Sequence, residues 1–157
     1  MPRKFKSLEH LLKPDPAYGS KLVSKFINNI MKDGKKSTAQ RVFYDAMEIL
    51  QKKVPRMEPA EVFRQAVENV KPQIEVRSKR VGGATYQVPM EVNKKRQQAL
   101  AIRWILDSAM KKSGKPFAQR LASELIDAFN KEGAAMKTRE NIHKMAEANK
   151  AFAHFAW

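Results

Sequence analysis

Cysteine is absent from the 157 residues, which excludes disulfides, thiolate nucleophiles and cysteine-held metals. Histidine occurs only as His10, His143 and His154, at no zinc-binding spacing, so no metal site is expected. No apolar run approaches the roughly 20 residues a membrane helix needs. The opening Met1-Pro2-Arg3-Lys4-Phe5-Lys6 leads into no apolar signal segment, and a cytoplasmic or organelle-matrix location is expected. Acidic residues are also scarce. Lys plus Arg number 31 against 16 Asp plus Glu, a formal charge of +15 and a pI near 10.1. A compact chain so charged repels itself unless a polyanion neutralises it, which points to nucleic acid. The acids Asp107, Glu124 and Asp127 occupy helical positions with no base or nucleophile nearby in sequence, so neither catalysis nor a cofactor is expected.

A hydrophobic content of 43% suffices for one modest core, and a single domain is the default. Residues 1–19 hold Arg3, Lys4, Lys6 and the turn-forming Pro14-Asp15-Pro16 and read as an irregular basic arm. After Ser20, a suitable N-cap, Leu22, Val23, Phe26, Ile27 and Ile30 recur at helical spacing until Gly34. A second helix is predicted from near Ser37 to Pro55, burying Val42, Phe43, Ala46, Met47 and Leu50. A third opens with Pro59 and buries Val62, Phe63, Ala66, Val67 and Val70.

The apolar period then changes from 3.6 to 2, and a β-hairpin is predicted over residues 73–92 with Gly82-Gly83 at its turn. A three-residue loop, Val81-Gly82-Gly83, is the expected register: it pairs Ile74 with Met90, Val76 with Val88 and Ser78 with Tyr86, gathering apolar residues on one face. Arg77 and Lys79 would then point outward, with Arg80 near the tip.

Asn93 is a plausible cap for a fourth helix, apolar around most of its circumference at Leu100, Ala101, Ile102, Trp104, Ile105 and Leu106, and expected at the centre of the core. A fifth starts at Pro116 and stops at Gly133; a sixth, capped by Thr138, carries the weaker set Ile142, Met145 and Ala146. The expected fold is mainly α, a bundle of about six helices with one extended hairpin between the third and fourth. Residues 20–149 form the domain and 150–157 a tail. Phe152, His154, Phe155 and Trp157 in that tail, with Tyr86, suit base stacking, and the tail rings equally suit packing onto the helices.

The charge is patterned. Residues 42–70 hold four basic and five acidic residues, whereas 71–96 hold seven basic and two acidic. Lys35 and Lys36 precede the second helix, Lys94, Lys95 and Arg96 open the fourth, Lys111, Lys112 and Lys115 precede the fifth, and Lys137 and Arg139 flank the expected start of the sixth. A helix N-terminus is already partly positive, so each cation there costs about 0.3–1 kcal/mol at low salt. The third helix, opening with Glu58 and Glu61, follows the stabilising pattern. A polyanion resolves the conflict, because free N–H groups, dipole and lysines together make a phosphate site.

Leu22-Val23, Phe26-Ile27, Gly34-Lys35-Lys36 and Val42-Phe43 followed by Ala46 resemble the signature of small-subunit ribosomal protein family seven, bacterial or organellar type. Phe63-Arg-Gln-Ala-Val-Glu-Asn-Val-Lys-Pro72, the hairpin Glu75-Val-Arg-Ser-Lys-Arg-Val-Gly-Gly-Ala-Thr-Tyr-Gln-Val-Pro89, Arg103-Trp104 and Met145-Ala-Glu-Ala-Asn149 are also similar to it. The resemblance runs from about Lys13 to Asn149. It implies a structural, non-catalytic protein that binds the 3′ major domain of 16S-type rRNA, nucleates head assembly, and lies near the exit-site tRNA and the mRNA path among head and platform proteins. It assigns rRNA contacts to Arg3, Lys4, Lys6, Lys35, Lys36, Arg77, Lys79, Arg80, Lys94, Lys95 and Arg96; the charge pattern adds Lys112 and Lys115. The hairpin tip, Val81, Gly82, Gly83, Ala84 and Thr85, would face the exit-site tRNA and a platform protein. A DNA-bending architectural protein is the alternative that composition leaves open.

Overall fold

The computed structural model describes residues 9–156 of the chain. Arg3, Lys4, Lys6 and Trp157 lie outside the described residues. Helices α1 (Lys21–Ile30), α2 (Lys36–Lys53) and α3 (Pro59–Val70) come first, then the hairpin β1 (Ile74–Val81) and β2 (Ala84–Glu91), then α4 (Lys94–Lys111), α5 (Phe117–Phe129) and α6 (Gly133–Ala148). A 3₁₀ segment, Lys150–Phe155, follows α6, and a shorter one, Glu9–Leu11, precedes α1.

The periodicities place one continuous core. Phe26 of α1, Phe43 of α2 and Phe63 of α3 are fully buried. Their rings meet with centroids 5.0 to 5.7 Å apart, two pairs edge to face, so each adds aromatic contact energy to its burial. Helix α4 was expected to be the centre; it shares that place with α5, which packs on α2, α3, α4 and α6. Leu121, Ala122, Leu125 and Ala128 of α5 are fully buried. The small side chains Ala122 and Ala128 let neighbouring helices close on α5, a property that a count of large apolar residues undervalues.

The described part of the arm is tied down. Buried Asp15 accepts N–H bonds from Ala17 (3.1 Å) and Tyr18 (3.2 Å) and the Tyr44 hydroxyl at 2.8 Å. The Ser24 hydroxyl donates to the Lys13 carbonyl at 2.8 Å. Burial and the bond to Asp15 push the Tyr44 hydroxyl up to about 12.

Two boundaries differ from expectation. Helix α6 begins at Gly133, one turn and more before Thr138, whose hydroxyl bonds back to the Ala134 carbonyl from inside the helix. Helix α5 ends at Phe129, so Gly133 is the start of α6 and not the stop of α5. Its φ is +91°, and a Cβ there would lie 2.8 Å from the Asp127 Cβ, so glycine alone lets α6 leave α5 this closely. Lys137 and Arg139 consequently sit within α6 rather than at its first turn.

The hairpin register also differs. Val81 faces Ala84, Val76 faces Pro89, Arg77 faces Val88 and Lys79 faces Tyr86, so the turn holds two residues. Gly82 (φ +57°) and Gly83 (φ +89°) are both left-handed, the pair that a two-residue turn matched to strand twist requires. The three-residue alternative rested on a single apolar face. Both faces are in fact used: Ile74, Val76 and Pro89 share one, and Glu75, Val88, Met90 and Tyr86 the other. Val88 is 0% exposed whereas Ile74 is 36% exposed. A one-residue shift moves every side chain across the sheet, so Arg77 and Lys79 lie on the face that turns toward the protein.

Among the described residues the tail packs chiefly on β2, with a smaller contact to α6. Tyr86 lies 5.1 Å, centroid to centroid, from both Phe152 and Phe155, and Lys79 Nζ donates to the Phe155 carbonyl at 3.0 Å.

Candidate nucleic-acid interface

Three helix starts keep the expected cations. Lys35 occupies the N-cap of α2, Lys94, Lys95 and Arg96 form the first turn of α4, and Lys115 precedes Pro116 at the N-cap of α5; none of the three first turns holds an acid. In α4 the Asn93 side chain accepts the Arg96 N–H at 2.9 Å. At α2 and α5 no side chain caps the first turn. Free N–H groups and cations therefore face outward together.

Of the remaining three starts, α1 opens with Lys21 and no acid, whereas α3 and α6 are supplied with carboxylates. Helix α3 has Glu61 in its first turn. At α6, Glu124 from α5 is 0% exposed and accepts the Ala135 N–H at 2.9 Å. Lys112 neutralises it: Nζ lies 2.7 Å from Glu124 Oε2 and 2.9 Å from Asp127 Oδ2, with the Ser123 hydroxyl at 3.4 Å. Burial alone would lower the Lys112 pKa, but hydrogen bonds to Glu124 and Asp127 outweigh it and hold the ammonium above its ordinary value. Its three donors are thus turned toward protein acceptors, although 32% of the side chain stays exposed.

The hairpin and the start of α4 meet at a second acid. Glu75, 7% exposed, takes Arg77 on Oε1 and Arg96 on Oε2, the latter at 3.2 Å. A single carboxylate thus fixes two guanidiniums from different elements, and one positive charge remains in excess. The base is further held where His143 Nε2 accepts the Gln73 N–H at 3.2 Å. Burial, then the nearby Arg139 charge, pushes the His143 pKa down, keeping Nε2 free to accept. Arg80 projects from the opposite face and is exposed, as are Gly82, Gly83, Ala84 and Thr85; Val81 is half-buried.

Helix α4 spans 18 residues, about 27 Å, and separates the Arg77–Arg96 group from the Lys112–Lys115 group. The two are joined along α1: Lys21 and Lys25 share a concavity with His10 and Gln98 near the start of α4, while Ile30, Met31 and Lys35 share another with Met110 and Arg120 near its end. Two cations that the charge pattern did not single out, Lys53 and Arg120, line a basic concavity with Lys115. Lys53 reads from sequence as a cation stabilising the C-terminus of α2; the one hint to Arg120 is the acid-free basic run at 111–120. Among the described residues no group of three or more metal-ligating side chains occurs, and no helix is long and apolar enough to cross a membrane.

A helical body whose cations gather at helix starts and along a projecting hairpin defines a polyanion-binding domain of the kind built for RNA. The chain matches the family model "Ribosomal protein S7p/S5e" over residues 2–150, and it belongs to that family. It is 65% identical over 144 residues to the small ribosomal subunit protein uS7 of Rhodopirellula baltica, covering 91% of this chain and 92% of that one. The protein of the same name from Nitratiruptor sp. is 59% identical over 144 residues, 92% of each chain. That of Fervidobacterium nodosum is 55% identical over 155 residues, 99% of each. As a small-subunit ribosomal protein it is a ribonucleoprotein component that binds rRNA and serves translation.

Proposed function

We propose that this chain is a primary, non-catalytic binder of the 3′ major domain of small-subunit rRNA, that it nucleates assembly of the subunit head, and that it works in the cytoplasmic ribosome. The observation that carries the reading is the contrast between helix starts: α2, α4 and α5 present cations and uncapped or singly capped N–H groups, whereas α3 and α6 carry carboxylates. Phosphates supply at the first three what the protein's own acids supply at the other two.

In this reading Lys35 and Lys36, Arg77, Lys79 and Arg80, Lys94, Lys95 and Arg96, and Lys115 contact the rRNA, with Arg3, Lys4 and Lys6 in the arm; Lys112, expected from the charge pattern to join them, is held instead by Glu124 and Asp127. Val81 to Thr85 face the exit-site tRNA and a platform protein, and the mRNA path passes nearby. Glu75 supports the hairpin assignment, because it locks Arg77 to Arg96 and so sets the hairpin's angle before RNA arrives.

The test is binding of the purified protein to an rRNA fragment of the 3′ major domain, titrated with salt and with unrelated duplex DNA. With about eight phosphates contacted, affinity falls by roughly three to five orders of magnitude between 50 and 200 mM salt, and the fragment outcompetes DNA. A flat salt response, or equal binding to unrelated duplex DNA, overturns the reading.

A further inference from the structure

We propose that the concavity between the last turn of α2 and the α4–α5 loop is a phosphate pocket for the RNA backbone, held by Lys53, Lys115 and Arg120. The inference rests on the rRNA-binding reading and adds to it a site and two residues, Lys53 and Arg120.

The cavity has a volume of about 540 Å³ and no carboxylate in its lining. Three separate elements contribute to it: α2 through Lys53, the loop through Ser113 and Lys115, and α5 through Gln119 and Arg120. Hydroxyl, amide, ammonium and guanidinium groups therefore converge on one hollow. That is the donor set of a phosphate oxygen, and a carboxylate partner would be expected on the wall if the cations were there for internal pairing.

Arg120 is already positioned. Its Nη1 donates to the carbonyls of Met110, at 3.2 Å, and Lys112, while the guanidinium lies 5.4 Å from the Phe117 ring centroid. A fixed fork loses less entropy on binding phosphate than a free lysine does. Lys112 forms part of the wall, but Glu124 and Asp127 neutralise it from behind, so the uncompensated charges are those of Lys53, Lys115 and Arg120. Lys53 also stabilises the α2 dipole, a role that predicts an effect on melting and none on RNA.

The test compares wild type with the double variant Lys53→Ala, Lys115→Ala, and with the control pair Lys35→Ala, Lys36→Ala, on the same rRNA fragment. Circular dichroism verifies folding; both residues of the first pair are exposed. The pocket variant is expected to lower the slope of log affinity against log salt by about 1.4 to 1.8, the loss of two phosphate contacts. Pyrophosphate, titrated by NMR, is expected to shift the Ser113, Lys115 and Gln119 amides in wild type and not in the variant.

If wild type binds with a steep slope and the variant keeps it, the pocket is overturned while the rRNA reading stands. Pyrophosphate shifts without any change in the RNA slope would likewise overturn it, as a free-anion site only. Failure of wild type to bind the fragment would strike the function itself, whereas weakened binding by the Lys35→Ala, Lys36→Ala pair is expected because those lysines belong to the proposed interface.

Discussion

At the start of α6 a carboxylate from the neighbouring helix, Glu124, accepts the Ala135 N–H at 2.9 Å; at the start of α4 the chain places Lys94, Lys95 and Arg96 and no acid. Both ends face the same problem of unpaired N–H groups and partial positive charge. One is closed from within the protein, and its lysine, Lys112, is consumed in the closure. The other is capped by Asn93 and has Arg96 held by Glu75, yet Lys94 and Lys95 raise its local positive charge and are exposed. A helix start selected only for stability resembles the first, and the proposed rRNA contact accounts for the cations at the second.

That contrast can be broken from either side. Glu124→Leu should have the largest effect: it strands the Ala135 N–H and leaves Lys112 with Asp127 alone. Loss of a buried pair costs about 3 kcal/mol, the lower end of the usual range because Lys112 reaches solvent. Urea unfolding measures it, and an unchanged midpoint would show that α6 does not depend on this closure.

The variant Lys94→Glu, Lys95→Glu is expected to act in opposite directions on the two properties. Carboxylates at the α4 start should stabilise the free protein by about 0.3–1 kcal/mol each at low salt, while the RNA salt slope falls by about 2. Thermal melts at low salt, paired with filter binding, read both; a destabilised variant would refute the dipole argument.

Removing the hairpin cations sharpens the second half of the contrast. Arg77→Ala, Lys79→Ala, Arg80→Ala should weaken RNA binding and leave helical circular dichroism unchanged, because the core lies in the helices. Arg80→Ala alone separates RNA contact from anchoring, since Arg77 and Lys79 also hold Glu75 and the Phe155 carbonyl.

The smallest effect concerns pH at the hairpin base. His143 has its pKa lowered in the folded state, so the neutral form is favoured there. Its stabilisation is complete above the ordinary value near 6.5 and is lost as pH falls below it. Hydrogen exchange of the Gln73 amide should quicken on acidification through that range, and His143→Gln, whose amide oxygen accepts at any pH, should remove the dependence.

Much of the fold was legible because every helix but α6 carries a large apolar set at helical period. Phe26, Phe43 and Phe63 meet as their spacing implies, and Asn93 and Pro116 stand where the chain's local chemistry puts a helix start. The hairpin register was not legible. Its apolar residues serve two faces, one toward the helices and one toward the tail, so the one-face rule selected the wrong loop, although the Gly82-Gly83 pair was itself a sign of a two-residue turn. The α6 start was obscured in the same way, since its cap lies nine or more residues away in another helix.

The sequence by itself determined the class of partner: net charge and the cations before α2, α4 and α5 are local facts of order along the chain, and they set the electrostatics wherever those helices form. Only the tertiary structure decided which cations are already spent. Lys112 pairs with Glu124, and Arg77 and Arg96 share Glu75, while Lys53, Lys115 and Arg120 meet around one hollow. Charge is a property of residues, but its availability depends on distances of a few ångströms between segments far apart in sequence, where the interaction rises steeply as water is excluded.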